Sequence, residues 1–167
     1  MKKIELQCLD ASDETFLKYG QFISTSDRGA DAANDELSFW NKLALMDHSG
    51  LTSVSIVQTY GKNGLEEHTL EQHTTTSEVL IPTDDIIVVA ALSQKEKPNV
   101  PDLESAKAFK VPKGSAIRFK KGVFHHAPLT KEAVTKTFVL FYENTPEEDF
   151  LAYDLDKEFN LYFVVKE

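Results

Sequence analysis

A single cysteine, Cys8, is all the thiol chemistry this chain has. That excludes an intramolecular disulfide framework and fits a reducing compartment. Long apolar runs are also missing. The longest, residues 86–92, has the length of a strand and falls far short of the ~20 residues that span a bilayer. The opening residues are no secretory leader either, because Glu5, Gln7 and Asp10 interrupt any apolar run. Basic residues are in deficit, 18 Lys and Arg against 27 acids for a net charge of −9. A non-specific nucleic-acid surface needs clustered Lys and Arg. The expectation is therefore a cytoplasmic protein with neither a membrane nor a nucleic acid as partner.

What is present is an ordinary globular composition, 41% hydrophobic and 27% charged over 167 residues. That length makes one domain, residues 1–167, large enough to bury a core without covalent staples. Residues 52–60 are β-branched and alternate, which predicts a strand. Residues 86–92 are almost continuously apolar and predict a strand buried on both faces. Further strands are predicted at 3–9, 78–82, 106–111, 115–119, 137–142 and 159–165. A hairpin turn falls at Pro112-Lys113-Gly114 and another turn at 61–64. Residues 12–20 read as a short helix, with Ser12 as cap and Gly20 as stop. Residues 39–45 read as a piece of sheet edge, 24–35 as a solvated loop and 143–148 as a polar turn. Many short strands with frequent turns and one or two short helices predict an all-β sandwich or barrel.

Four of the five histidines fall in two short stretches. The first runs Glu66-Glu67-His68-Thr69-Leu70-Glu71-Gln72-His73 and on to Glu78; the second is Gly122-Val123-Phe124-His125-His126. Glu71 and His73 are two apart and share a face on extended backbone. Gly122 relaxes the backbone just before His125. Glu71, His73, Glu78 and His125 thus make a candidate set of two imidazoles and two carboxylates. Such a mixed set suits a divalent first-row metal, Mn, Fe, Ni or Zn. Polar residues at strand ends are usually just solvated, and one histidine alone would be read that way. Two strand-linked clusters holding four histidines favour a shared pocket.

These stretches resemble the two motifs of the cupin superfamily. Glu71-x-His73 stands for its His-x-His, Glu78 for the following Glu, and Gly122-Val123-Phe124-His125 for Gly-x-x-His. Within that superfamily the chain is similar to the ureidoglycolate lyase family. The likeness runs through residues 68–73, Leu80-Ile81-Pro82, the valine-rich 86–92, Pro101-Asp102-Leu103 and Val123–His126 with a proline after it. Departures are Glu71 for the first histidine, Lys120 for a proline, Gln72 for an arginine, Phe124 for a tryptophan, and a proline displaced to Pro128. Only Arg28 and Arg118 are arginines, although arginine is the preferred bidentate partner of a carboxylate.

The resemblance implies a cupin-type double-stranded β-helix, a jelly-roll barrel. It also implies a carbon–nitrogen lyase that splits ureidoglycolate into glyoxylate and urea in allantoin (purine) catabolism, and so a small ureido or 2-hydroxy acid as ligand. On that reading His73 or Glu71 is the base and His125 or His126 the acid, with His68, Arg118 and Lys121 as substrate contacts. A divalent metal on Glu71, His73, Glu78 and His125 would assist. The alternatives are a diverged binding module or another metal-dependent cupin enzyme. Cupin barrels commonly pair, and the aromatic C-terminus (Phe159, Tyr162, Phe163) offers a homodimer interface.

Overall fold

The computed structural model describes residues 1–26, 28–61 and 64–167. The centre of the turn expected at 61–64 lies outside the described residues. The first part of the chain holds β1 (Lys2–Asp10), β2 (Gly20–Ile23), the short pair β3 (Ala32–Ala33) and β4 (Ser38–Phe39), and β5 (Thr52–Tyr60). The middle holds β6 (Glu66–Glu67), β7 (Thr69–Gln72), β8 (Glu78–Pro82), β9 (Ile86–Ser93) and β10 (Pro101–Val111). Then come β11 (Ala116–Phe119), β12 (Phe124–His125), β13 (Val134–Tyr142), α1 (Thr145–Glu148), β14 (Leu151–Asp154), α2 (Leu155–Phe159) and β15 (Leu161–Lys166).

Eight strands form one sheet in the order β14-β7-β12-β9-β10-β1-β15-β6, and five form a second, β2-β11-β8-β13-β5. Only His68 separates β6 from β7 in the chain. Yet β6 closes one edge of the large sheet, with Glu67 opposite Phe163, while β7 lies at the other end between β12 and β14. A sheet whose far ends are joined by one residue has to curl on itself, and Leu155 N–H donates to His68 O across the seam at 2.8 Å. The product is an all-β barrel as the strand pattern predicts, of the cupin-like jelly-roll kind that the resemblance implies, with two short helices among the described residues.

Two apolar clusters fill it. One lies within the curl and includes Leu6, Leu70, Ile87, Val89, Phe124 and Phe163; the other lies between the sheets and includes Phe16, Leu80, Val88, Phe109, Ile117, Phe119 and Val139. β9 feeds both, with Ile87, Val89 and Ala91 on one side and Ile86, Val88 and Ala90 on the other. This is why it reads as a continuous apolar run rather than an alternating one.

Several elements differ from expectation. Residues 12–20 form turns rather than a helix: Thr15 N–H donates to Ser12 Oγ, and the chain closes with Gly20 N–H on Phe16 O. Gly20 then enters β2 instead of ending a helix. In 39–45 only Phe39 is in a strand, β4. The helices lie elsewhere. Pro146 starts α1 in the expected turn, and Asp154 caps α2 by accepting from Lys157 N–H. Phe159 closes α2, and Asn160, at φ 53°, turns the chain into β15.

Candidate active site

The site lies between the two sheets, and strand alternation decides who faces it. On β7, Leu70 points into the curl, so Glu71 points to the intersheet side. On β12, Phe124 likewise fills the curl and turns His125 inward beside its cross-strand partner Glu71. Glu78 opens β8 on the facing sheet, opposite Phe119 of β11. The Phe119 ring stacks on the His125 imidazole with centroids 4.1 Å apart. The nitrogen and oxygen donors of Glu71, His73 and His125 all lie within 4.8 Å of one another. Glu78 Oε2 is 3.2 Å from His73 Nε2 and 3.4 Å from His125 Nε2. The four residues grouped from spacing alone therefore meet.

Both imidazoles are oriented from behind by a backbone carbonyl. His73 Nδ1 donates to Asp149 O at 2.6 Å, and His125 Nδ1 donates to Val123 O at 3.0 Å. With each Nδ1 turned to a carbonyl, the Nε2 atoms of both rings face Glu78, at 3.2 Å from His73 and 3.4 Å from His125. His125 Nε2 is buried and, among the described residues, makes no aligned hydrogen bond. A buried, inward lone pair beside a second imidazole and a carboxylate fits a divalent metal, and the rear carbonyl bond is the usual support of a metal-binding histidine. Glu71, His73 and His125 would hold the ion, with Glu78 against both rings.

Electrostatics sharpen the picture. Burial works against a charge on Glu78, but the attraction of the His125 and His73 imidazoles, with His73 Nε2 3.2 Å away, outweighs it and lowers its pKa to about 2. Burial opposes the imidazolium at His73 as well, yet its bonds to Glu78 and to the Asp149 carbonyl raise its pKa. Asp149 is a partner that spacing did not reveal. Its Oδ1 accepts from Thr74 N–H and Oγ1 at 2.8 and 2.9 Å, and its Oδ2 from Thr75 N–H and Oγ1 at 2.8 and 2.7 Å. Despite burial, these bonds lower the Asp149 pKa.

Other sequence-stretch residues lie at varying distances from this centre. His126 borders the same cavity, its Nδ1 3.1 Å from the buried carboxylate of Glu67. His68 lines a neighbouring cavity of about 320 Å³ that shares His126, Ala127 and Pro128 with the first. There its Nδ1 meets Asp156 at 2.9 Å and its ring stacks on Tyr162. Arg118 alternates with the inward Phe119 and turns away, its guanidinium donating to Leu45 O at 2.7 Å. Lys121 pairs with Asp47 at 3.6 Å. Neither basic residue lines the cavity. Gln72, where the resemblance has arginine, also faces away, its amide 2.8 Å from Gly122 O and 2.9 Å from Pro98 O. That departure alters a structural tie rather than a cavity contact. Gly122, at φ 79°, does relax the backbone before His125, and its N–H donates to His73 O at 2.6 Å.

Comparison with known proteins agrees with the resemblance. The family model described as ureidoglycolate lyase matches residues 1–162. The chain is 30% identical over 138 residues to the ureidoglycolate lyase of Escherichia coli strain K12, covering 79% of this chain and 84% of that protein. The same figures hold for the ureidoglycolate lyase of Shigella boydii serotype 18. Among solved structures, Bacillus subtilis oxalate decarboxylase superposes with a TM-score of 0.41 at 10% identity. This match covers 63% of this chain and 24% of that one, so the chain spans about a quarter of its length.

Proposed function

The chain belongs to the ureidoglycolate lyase family, and from that membership we propose that it cleaves ureidoglycolate to glyoxylate and urea. The carrying observation is that the donor atoms of Glu71, His73 and His125 lie within 4.8 Å of one another between the sheets. The reaction removes the proton from the substrate hydroxyl, forms the aldehyde C=O and breaks the C–N bond. A proton then goes to the departing urea nitrogen. On this reading Glu71 takes the first proton, and His126, whose Nδ1 lies 3.1 Å from Glu67, gives the second. Each such transfer contributes ~10²–10⁴-fold when the group is well positioned.

Charge supports metal assistance. Glu71 and Glu78 put two carboxylates at the site, and among the described residues no Lys or Arg lines the cavity. A substrate carboxylate would be repelled unless a cation stood between. A divalent ion on Glu71, His73 and His125 would supply that charge and polarise the substrate oxygens. His73 and His125 then serve as ligands held from behind by Asp149 and Val123.

The test is glyoxylate release from ureidoglycolate by the wild type, Glu71→Ala and His125→Ala, with Mn(II) supplied and after chelation. The expected result is turnover in the wild type and a loss of about 10²-fold or more in each variant. Wild-type rates in both variants would contradict the assignment. A second reading, a diverged binding module, is favoured by the lack of Lys and Arg around the cavity among the described residues; ligand binding without glyoxylate release would establish it.

We also propose a homodimer in the cytoplasm. Of the C-terminal aromatics, Phe163 is fully buried and Tyr162 stacks on His68; we assign the interface instead to the outer face of the five-stranded sheet. There Val54, Ile56, Ile81, Val134 and Phe138 are exposed around the edge strand β5, which carries no charged residue. An uncharged, apolar edge is what a monomer avoids, and antiparallel β5 to β5 pairing is self-complementary under a two-fold axis.

A further inference from the structure

The neighbouring cavity of about 320 Å³ shares His126, Ala127 and Pro128 with the site cavity, and strand register makes the two consecutive. β12 runs antiparallel to β7 with His125 opposite Glu71, so the step from His125 to His126 leads back along the first histidine stretch toward Glu67. On β5, Val57 and Thr59 face the same inward side, and Val57 lines the site cavity while Thr59 lines its neighbour. His126 borders both, its Nδ1 3.1 Å from Glu67 Oε1. The neighbouring cavity has a distinct set of polar groups. The Glu67 carboxylate is buried in its wall, where Oε1 accepts from Thr69 N–H at 3.0 Å. Glu66 stands at the rim, 3.5 Å from His68 Nε2. Thr59 Oγ1 is buried and, among the described residues, has no hydrogen-bond partner, which costs free energy until an acceptor meets it. No Lys or Arg lines this cavity among the described residues. Two carboxylates and an unpaired hydroxyl suit a neutral group rich in N–H with one carbonyl, and they repel an anion.

We propose that this neighbouring cavity is the leaving-group subsite. It seats the ureido arm of the substrate and then urea, whose N–H groups donate to Glu66 and Glu67 and whose carbonyl accepts from Thr59. The inference rests on the lyase reading with His126 as the acid. As the C–N bond breaks, its electron pair stays with the nitrogen, which takes the His126 proton. Neutral urea is then left on the Glu67 side of that imidazole. The carbon keeps its hydroxyl oxygen as the aldehyde C=O, the hydroxyl proton passing to Glu71. Glyoxylate, an anion, remains in the cavity of Glu71 and His73. The two products are thus sorted by charge without an arginine, which agrees with Arg118 and Lys121 being directed elsewhere. His68, at the rim beside Glu66, belongs to the ureido end of the substrate rather than to its carboxylate.

The test is an NMR titration of backbone amides in the full chain with urea, guanidinium and glyoxylate, each at millimolar, non-denaturing concentration. Shifts caused by urea and guanidinium should centre on residues 65–69 and 126–130, which line this cavity, and those caused by glyoxylate should not. Guanidinium carries the same planar N–H groups with a positive charge, so it should bind about tenfold more tightly than urea. Thr59→Val removes a hydroxyl that has no partner, so the fold should be as stable as before. It should weaken urea about fivefold and leave guanidinium, which has no carbonyl, as it was. Glu66→Gln should weaken guanidinium about tenfold. Urea or guanidinium shifts centred elsewhere, glyoxylate shifts in this cavity, or either variant leaving its own ligand's affinity untouched would overturn the proposal. Glyoxylate release from ureidoglycolate on the same preparations keeps the two ideas apart. Turnover without urea binding here sinks only the subsite, whereas urea binding here without turnover sinks only the lyase reading.

Discussion

Asp149 ties its own segment to one 75 residues earlier in the chain, its carboxylate held by four donors of Thr74 and Thr75 and its carbonyl holding His73. Asp149→Ala keeps the carbonyl but strands those donors, so we expect a loss of about 3 kcal/mol in urea unfolding. Divalent-ion affinity, read by calorimetry, should fall about tenfold because the ring support is slackened. Unchanged ion affinity would make Asp149 purely structural. Glu78 gives a pH signature. Its pKa is about 2 in the fold against an ordinary 4.5, so the unfolded chain takes up this proton first as pH falls. Its stabilisation is therefore present above 4.5 and lost between 4.5 and about 2. His73, raised from 6.5, stabilises fully below that value, and its contribution disappears as pH rises through the raised one. With chelator present, Glu78→Gln should flatten the acid limb of the stability profile; an unaltered limb would place the acid sensitivity elsewhere. Of this arrangement, the Glu71 and His73 pairing was legible because residues two apart on extended backbone share a face, and Glu78 and His125 because each sits at a strand end beside a histidine stretch. The Asp149 and Val123 carbonyls were not, because a backbone acceptor leaves no mark on sequence.

Among elements, β5 and β9 were readable to within a residue, whereas β10 and β13 begin five and three residues before their predicted starts of 106 and 137. The misread helices have separate causes. Residues 12–20 carry good helix punctuation, but Gly20 is needed in a strand: a Cβ there would sit 2.0 Å from Arg118 O and 2.7 Å from the Phe16 ring. Tertiary pairing with β11 therefore overrides the local cap-and-stop pattern. Gly20→Ala should accordingly cost about 3 kcal/mol or more in denaturant unfolding, where an ordinary glycine in a strand would gain from alanine. A neutral result would mean β2 is free to move off β11. α2 escaped notice because five residues between two strands leave no room for a helical period to show.

For the whole molecule, closure of the curled sheet at His68 and the packing of the five-stranded sheet across it bring Glu71 and His73 of the first histidine stretch against His125 of the second. The strand count made a barrel legible; which faces stay open did not follow from it, since the exposed stripe of β5 and β13 arises only from register, Ile56 opposite Phe138 and Val54 opposite Leu140. Sedimentation of the wild type should give a dimer and of Ile56→Lys a monomer; a monomeric wild type would rule out that interface. Everything functional depends on His73, His125 and Glu71 presenting donors to a single point. Anomalous diffraction from crystals soaked with Zn(II) tests this most directly. The account requires a peak at about 2 Å, a bonding distance, from His73 Nε2, His125 Nε2 and the Glu71 carboxylate together. A peak at other side chains, with these three turned apart, would contradict it.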